Sequence, residues 1–220
     1  MTRNTRVLKI TLDTSVKLPQ ISDFRKAVQE WVGATGSGVI TSIGQEQYPL
    51  AQYRYAEGSG QILLLNEAAD IFAVCLASRQ WELKQDNTTI ISPFKMGNME
   101  LYEVPYTTMK KKYTICNWVP LSQNNYKLYN CYNSNQQQQQ QLLTDLMVRH
   151  IANYCHAVNY PISDDEIVVE IPKKMSSKPA TVGNAKLLSF SGEFFTNTNL
   201  PKGIGLGRFA AIGWGIVRCR

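Results

Sequence analysis

The chain has 220 residues, enough for one large or two small domains, and 44% of them are hydrophobic, an ordinary share for a globular fold. Its formal charge of +6 points to an anionic partner, RNA or DNA foremost. Five cysteines without a C-x-x-C pair, only two histidines, no signal-peptide run and no stretch near ~18 apolar residues argue against a metal centre, a disulfide framework and a membrane span; reduced thiols, a cytoplasmic location and no cofactor are expected.

The first predicted element is the alternating strand "RVLKITLDTSV". "ISDFRKAVQEWVGA" follows as an amphipathic helix, with Ser22 as its N-cap and Phe24, Ala27, Val28 and Trp31 on its apolar face. After the irregular, glycine-rich "TGSGVITSIGQEQ", the segments "YPLAQYRYA" and "SGQILLLN" read as two strands joined at "EGSG". "EAADIFAVCLASRQ" is a second helix, and "WELKQDNTTIIS" supplies at least one more strand. Strand, helix, strand, strand, helix, strand is the ferredoxin-like order.

A similar order recurs. "KKYTICNWVPL" and "YKLYNCY" are strand-like, "QLLTDLMVRHIANYCHAV" is a helix, "DEIVVEIP" and "AKLLSFSGEFFTN" are strands, and "RFAAIGWGIV" closes the set. The second helix of this half is missing or reduced to a turn near Arg208. The fold class is therefore α+β, with two tandem ferredoxin-like domains, residues 1–105 and 106–220, and a boundary near Glu103 to Lys110. Within the second half lies a run of six glutamines, Gln136–Gln141, read as a polar linker or the frayed first turns of the following helix.

The end of the chain is its most informative part. Five glycines (Gly203, Gly205, Gly207, Gly213 and Gly215) fall within thirteen residues, flanked by Lys202 and Arg208. Glycine permits backbone conformations closed to other residues, so such a run can turn N–H groups toward an anion. "IGWGIV" alternates, and as a strand would put Ile212, Trp214 and Ile216 on one face. "GLGRFA" formally fits a dinucleotide fingerprint, but only ten residues follow Ala210, too few for the helix that motif requires.

"KLLSFSGEFFTNTNLPKGIGLGRFAAIGWGIV" resembles the C-terminal signature of the CRISPR-associated endoribonucleases that process repeat RNA, members of the RAMP superfamily. The matching positions are Gly203-Ile204-Gly205, the basic Arg208, and Gly213-Trp214-Gly215. "YPLAQYRY" resembles a strand in the N-terminal half of one branch of that family, and "LLTDLMVRHIANYCHAVNY" with "DEIVVEI" resembles the helix and strand before the loop. The resemblance implies tandem ferredoxin-like domains and binding of CRISPR repeat RNA. It also implies metal-independent cleavage, in which the ribose 2′-hydroxyl attacks the adjacent phosphate and leaves a 2′,3′-cyclic phosphate. Guide RNA and other CRISPR-complex subunits are the implied partners.

Such chemistry needs a base near the 2′-oxygen, an acid near the leaving 5′-oxygen and positive charge on the phosphate. Many members of the family place a histidine shortly before the strand resembling "YPLAQYRY". This chain offers Ser42, Gln45, Glu46, Gln47 and Tyr48 there instead. Lys26 and Tyr48 are the first-domain candidates. The only histidines are His150 and His156. His150 falls in the apolar stripe Leu143, Leu146, Met147, Ile151, Tyr154 and Val158 and reads as a hydrogen-bonded core or rim residue. His156 falls on the other face with Arg149 and Asn153, and is the better acid–base candidate. Lys110, Lys111 and Lys112, with Tyr106 and Tyr113 nearby, and Lys173, Lys174 and Lys178 are either solvated or track a phosphate backbone. The candidate RNA-binding set is Lys202, Gly203, Gly205, Gly207, Arg208, Gly213, Gly215, Lys110, Lys111, Lys112 and Arg149. Three functions stay open: a repeat-RNA endoribonuclease, a non-cleaving RNA-binding subunit of a CRISPR ribonucleoprotein, and a basic ferredoxin-like protein that binds a small anion or a protein.

Overall fold

The structure, a computed structural model, describes residues 4–12, 21–33, 48–56, 59–78, 81, 83–85, 88–90, 94–103 and 106–219. The chain divides into two units: residues 1–103 with 211–213, and residues 104–210 with 214–220.

In the first unit β1 (Thr5–Leu12), α1 (Ile21–Val32), β2 (Ala51–Ala56), β3 (Ser59–Leu65), α2 (Glu67–Ser78), β4 (Leu83–Gln85), β5 (Thr88–Ile90) and β6 (Phe94–Tyr102) follow in order. The sheet order is β2-β3-β1-β6, antiparallel throughout. That is the ferredoxin-like arrangement. Alternation sends Leu8, Ile10 and Leu12 from β1, with Tyr53, Ile62 and Leu64, into one core with Phe24, Ala27 and Val28 of α1 and Phe72 of α2. Trp31 packs edge-on against Trp81 at 4.6 Å and also contacts Phe72. Ile212 joins this core from the C-terminal excursion.

Two expectations are corrected here. "WELKQDNTTIIS" does not enter the main sheet: β4 and β5 pair with each other, Leu83 opposite Ile90. The fourth sheet strand is β6, which pairs with β1 from Thr5↔Tyr102 to Leu12↔Phe94 with a register shift between Leu8 and Ile10. Ser22 lies inside α1 rather than capping it. Glu57 and Gly58 of the expected turn, and the whole of "TGSGVITSIGQEQ", lie outside the described residues.

The second unit comprises β7 (Tyr106–Trp118), α3 (Gln123–Cys131), α4 (Gln136–Ala157), β8 (Val169–Glu170), β9 (Ser176–Val182), β10 (Ala185–Thr198) and β11 (Ile216–Cys219). Its sheet order is β11-β7-β10-β8, with β9 added as a hairpin on β10. The ferredoxin-like order recurs, with a loop in place of the second helix. The stripe of α4 is buried on the sheet: Leu143, Leu146, Met147, Ile151, Tyr154 and Val158, with Tyr113, Ile115, Phe190 and Phe194 among the buried sheet residues.

"YKLYNCY" is helical, not a strand. Ser122 caps α3 by accepting from the Asn125 amide at 3.2 Å. The glutamine run is the start of α4 rather than a linker. Asn135 caps it by accepting from the Gln138 amide, and Gln139 and Gln140 are tied down, donating to the carbonyls of Tyr129 (3.1 Å) and Ile171 (2.6 Å). "IGWGIV" is not one strand either. Ala210–Ile212 is a 3-10 turn, and Gly213 (φ +87) and Gly215 (φ +67) adopt left-handed backbone, which ends any extended run; only Ile216–Cys219 pairs in the sheet.

Candidate RNA-binding site

The site is the loop between β10 and β11 in the second unit. Tyr113 anchors its start: the phenol donates to the Thr198 carbonyl (3.2 Å), accepts from the Leu200 amide (3.1 Å) and stacks on Phe194. The loop then folds on itself. Gly203 N–H donates to the Val217 carbonyl (2.8 Å), Leu206 N–H to Gly215 (2.9 Å), Gly215 N–H to Asn117 (3.0 Å) and Val217 N–H to Ile204 (2.8 Å). The glycines are needed for close approach. A Cβ on Gly215 would lie 1.9 Å from the Leu206 carbonyl oxygen, and one on Gly205 would lie 2.7 Å from the Trp214 carbonyl oxygen. Of the five glycine amides expected to face an anion, those of Gly203 and Gly215 are therefore spent on the loop's own architecture. Gly207 N–H takes no backbone acceptor among the described residues.

Gly207 (φ +83) sits against a pair of side chains that the sequence reading did not join. The Trp118 indole, at the end of β7, donates to His150 Nδ1 at 3.2 Å, and the two rings meet edge to face with centroids 5.7 Å apart. A Cβ on Gly207 would come within 2.7 Å of Trp118 Nε1 and 3.2 Å of His150 Cε1. Arg208 follows, its amide bonded to the Val119 carbonyl (3.1 Å) and its guanidinium 5.6 Å from the Phe209 ring centroid. Its Nε is buried and has no hydrogen-bond partner among the described residues. Phe209 itself has φ +63, an uncommon backbone for a bulky residue and of the kind that concentrates at functional sites. Burial, then the Arg149 and Arg208 charges, push the His150 imidazole down to about 4, so it is neutral near pH 7.

The remaining expected residues are placed as follows. Lys202 is exposed at the loop's start; burial pushes the nearby Cys219 thiol up, against the lowering effect of the Lys111 and Lys202 charges. Lys110 pairs with Glu170 (3.1 Å), Lys112 with Glu193 (2.9 Å), and Lys111 donates to Asn199 Oδ1 (3.1 Å), so this cluster is already engaged on the sheet. Gly213 belongs to the first unit, where a Cβ would meet Arg54 at 3.2 Å. Arg149, Asn153 and His156 are exposed on α4. In the first unit, Lys26 is exposed on α1 and Tyr48 is buried, its hydroxyl accepting from Gln52 Nε2 at 2.8 Å. Ser42, Gln45, Glu46 and Gln47 lie outside the described residues. No helix among the described residues is long and apolar enough to cross a membrane.

Comparison with known proteins agrees with this architecture. A solved structure of Cas6b superposes with a TM-score of 0.81 at 18% identity, covering 99% of this chain and 100% of that one. A second, described as the CRISPR RNA processing endoribonuclease Cas6b, gives 0.70 at 18% identity over 99% and 100%. An uncharacterized protein of Methanocaldococcus jannaschii is 24% identical over 144 residues, 66% of this chain and 95% of that protein. These likenesses are to proteins with the same fold, tandem ferredoxin-like domains. Residues 106–220, which hold β7, α4 and the whole glycine loop, match the model of the Cas6b C-terminal domain, and the chain belongs to that family.

Proposed function

We propose that this chain binds CRISPR repeat RNA and cleaves it, without a metal, to produce guide RNAs. The observation that carries the reading is the match of residues 106–220, which hold the glycine loop and Arg208, to the Cas6b C-terminal domain. In the reaction the 2′-oxygen attacks the adjacent phosphorus while the P–O5′ bond breaks. A base takes the 2′-hydroxyl proton, an acid protonates the departing 5′-oxygen, and the products are a 2′,3′-cyclic phosphate and a 5′-hydroxyl. Arg208, with Lys202 and Arg149, supplies positive charge to the phosphates. Tyr48, Lys26 and His156 are the acid–base candidates.

A second reading is binding without cleavage, as a subunit of a CRISPR ribonucleoprotein. It is favoured by the positions of the two histidines, 150 and 156, which leave residues 1–105 with none. Of the two, His150 has its Nδ1 committed to Trp118.

Labelled repeat RNA separates these readings. Cleavage that persists in excess EDTA and stops when the scissile nucleotide is 2′-deoxy supports the first. A stable shift with no product supports the second. Activity lost on chelation and restored by magnesium overturns the mechanism.

A further inference from the structure

His150 is held in one tautomer. The indole N–H of Trp118 can only donate, so the imidazole Nδ1 that receives it carries no proton. In a neutral ring the proton then sits on Nε2. No acceptor among the described residues engages that N–H. Beside the ring are Gly207, whose amide has no backbone acceptor among the described residues, and Arg208, whose charge acts on the imidazole and which forms no ion pair among the described residues. Gly207 faces the ring at Cε1, the carbon between Nδ1 and Nε2, where a Cβ would come within 3.2 Å. The charged groups acting on the imidazole are Arg149 on its own helix and Arg208 on the loop; β7 presents only the uncharged Trp118. The result is a set of donors with excess positive charge and no carboxylate partner among the described residues.

Resting on the reading of this loop as an RNA-binding element, we propose that His150 is a neutral phosphate-binding residue. Trp118 fixes its Nδ1, and its Nε2–H shares one RNA phosphate with Arg208. A neutral donor is suited to this place because a second cation beside Arg208 would repel it in the free protein. The same geometry makes His150 a positioning residue: the Trp118–His150 pair is the floor on which Gly207 rests, and it sets where Arg208 emerges.

The physical signature is specific. Burial first, and then the Arg149 and Arg208 charges, hold the imidazole neutral; a phosphate bound at Nε2–H offsets those charges, so RNA should raise the titration midpoint from about 4. The test follows the imidazole signals of both histidines by ¹⁵N-edited NMR in the wild-type protein. The probe is a fully 2′-O-methylated repeat RNA, which cannot cleave itself. His150 should move upward by about one unit or more on binding, while the Trp118 indole N–H stays hydrogen-bonded. RNA that binds by gel shift but leaves His150 unmoved overturns this proposal alone. RNA that fails to bind overturns the functional reading beneath it. As a second measurement, His150→Phe should weaken RNA binding about tenfold without changing its salt slope, because a hydrogen bond is lost but no charge. His150→Gln, which keeps an N–H donor, should recover part of that loss. Wild-type affinity in His150→Phe overturns the proposal.

Discussion

Gly215→Ala should destabilise the second unit by about 3 to 4 kcal/mol, and the structure shows why. The residue has φ +67, and placing a side chain on left-handed backbone costs about 1 to 2 kcal/mol by itself. The new Cβ would lie 1.9 Å from the Leu206 carbonyl oxygen and 3.0 Å and 3.1 Å from its carbonyl carbon and nitrogen. These are backbone atoms, so no rotamer change relieves the overlap. Relief requires parting the segments at this crossing, which breaks the Leu206 N–H to Gly215 O bond (2.9 Å) and the Gly215 N–H to Asn117 O bond (3.0 Å), each worth about 1 kcal/mol. Gly183 is the control. It too is left-handed, at φ +57, but a Cβ there meets nothing within 4 Å. Gly183→Ala should therefore cost only the conformational part, about 1 kcal/mol. Urea unfolding followed by circular dichroism measures both. If the two variants differ by less than about 1 kcal/mol, the closeness of the loop crossing is not what requires glycine, and the reasoning fails.

Three further outcomes are expected. Because the folded His150 titrates near 4 against 6.5 unfolded, the unfolded chain binds the extra proton as pH falls, so stability present above pH 6.5 is lost between pH 6.5 and about 4, by about 2 to 3 kcal/mol; urea midpoints of wild type and His150→Phe over that range should converge toward pH 4. Arg208→Ala should weaken RNA binding and lower the salt slope by roughly one counterion, read from fluorescence anisotropy at several salt concentrations, and an unchanged slope removes Arg208 from the phosphate contacts. If His156 supplies acid–base catalysis, His156→Ala should slow single-turnover cleavage by roughly 10²-fold; if Tyr48→Phe or Lys26→Ala does so instead, the chemistry belongs to the first unit, and three wild-type rates would discard all of these placements.

The sequence exposed those parts of the fold that repeat at a fixed period. The α4 stripe and the strand Ser59–Leu65 declare themselves because every third or fourth, or every consecutive, residue is buried. Elements decided by caps and partners stayed hidden. β6 has the sequence "FKMGNMELY", with glycine and asparagine in the middle, and gains its strand identity by pairing with β1. "YKLYNCY" carries strand-prone tyrosines, yet the Ser122 cap and the turn into Asn135 make it helical. In the site, Arg208 and the glycines were visible because they are neighbours in sequence. The Trp118–His150 bond was not, since its members are 32 residues apart and no pattern along either element signals the other.

The glutamine run has a consequence for how this chain can vary in length. Homopolymeric stretches are ordinarily free to lengthen or shorten, because nothing downstream depends on their register. Here the run is the first turn and a half of α4, with Asn135 capping it and Gln139 and Gln140 facing two different carbonyl acceptors. One added glutamine would rotate everything before it by about 100° and shift it by about 1.5 Å along the helix axis. Asn135 and the end of α3 would then face a different side of the helix, so six is a structural count rather than an accident of repetition.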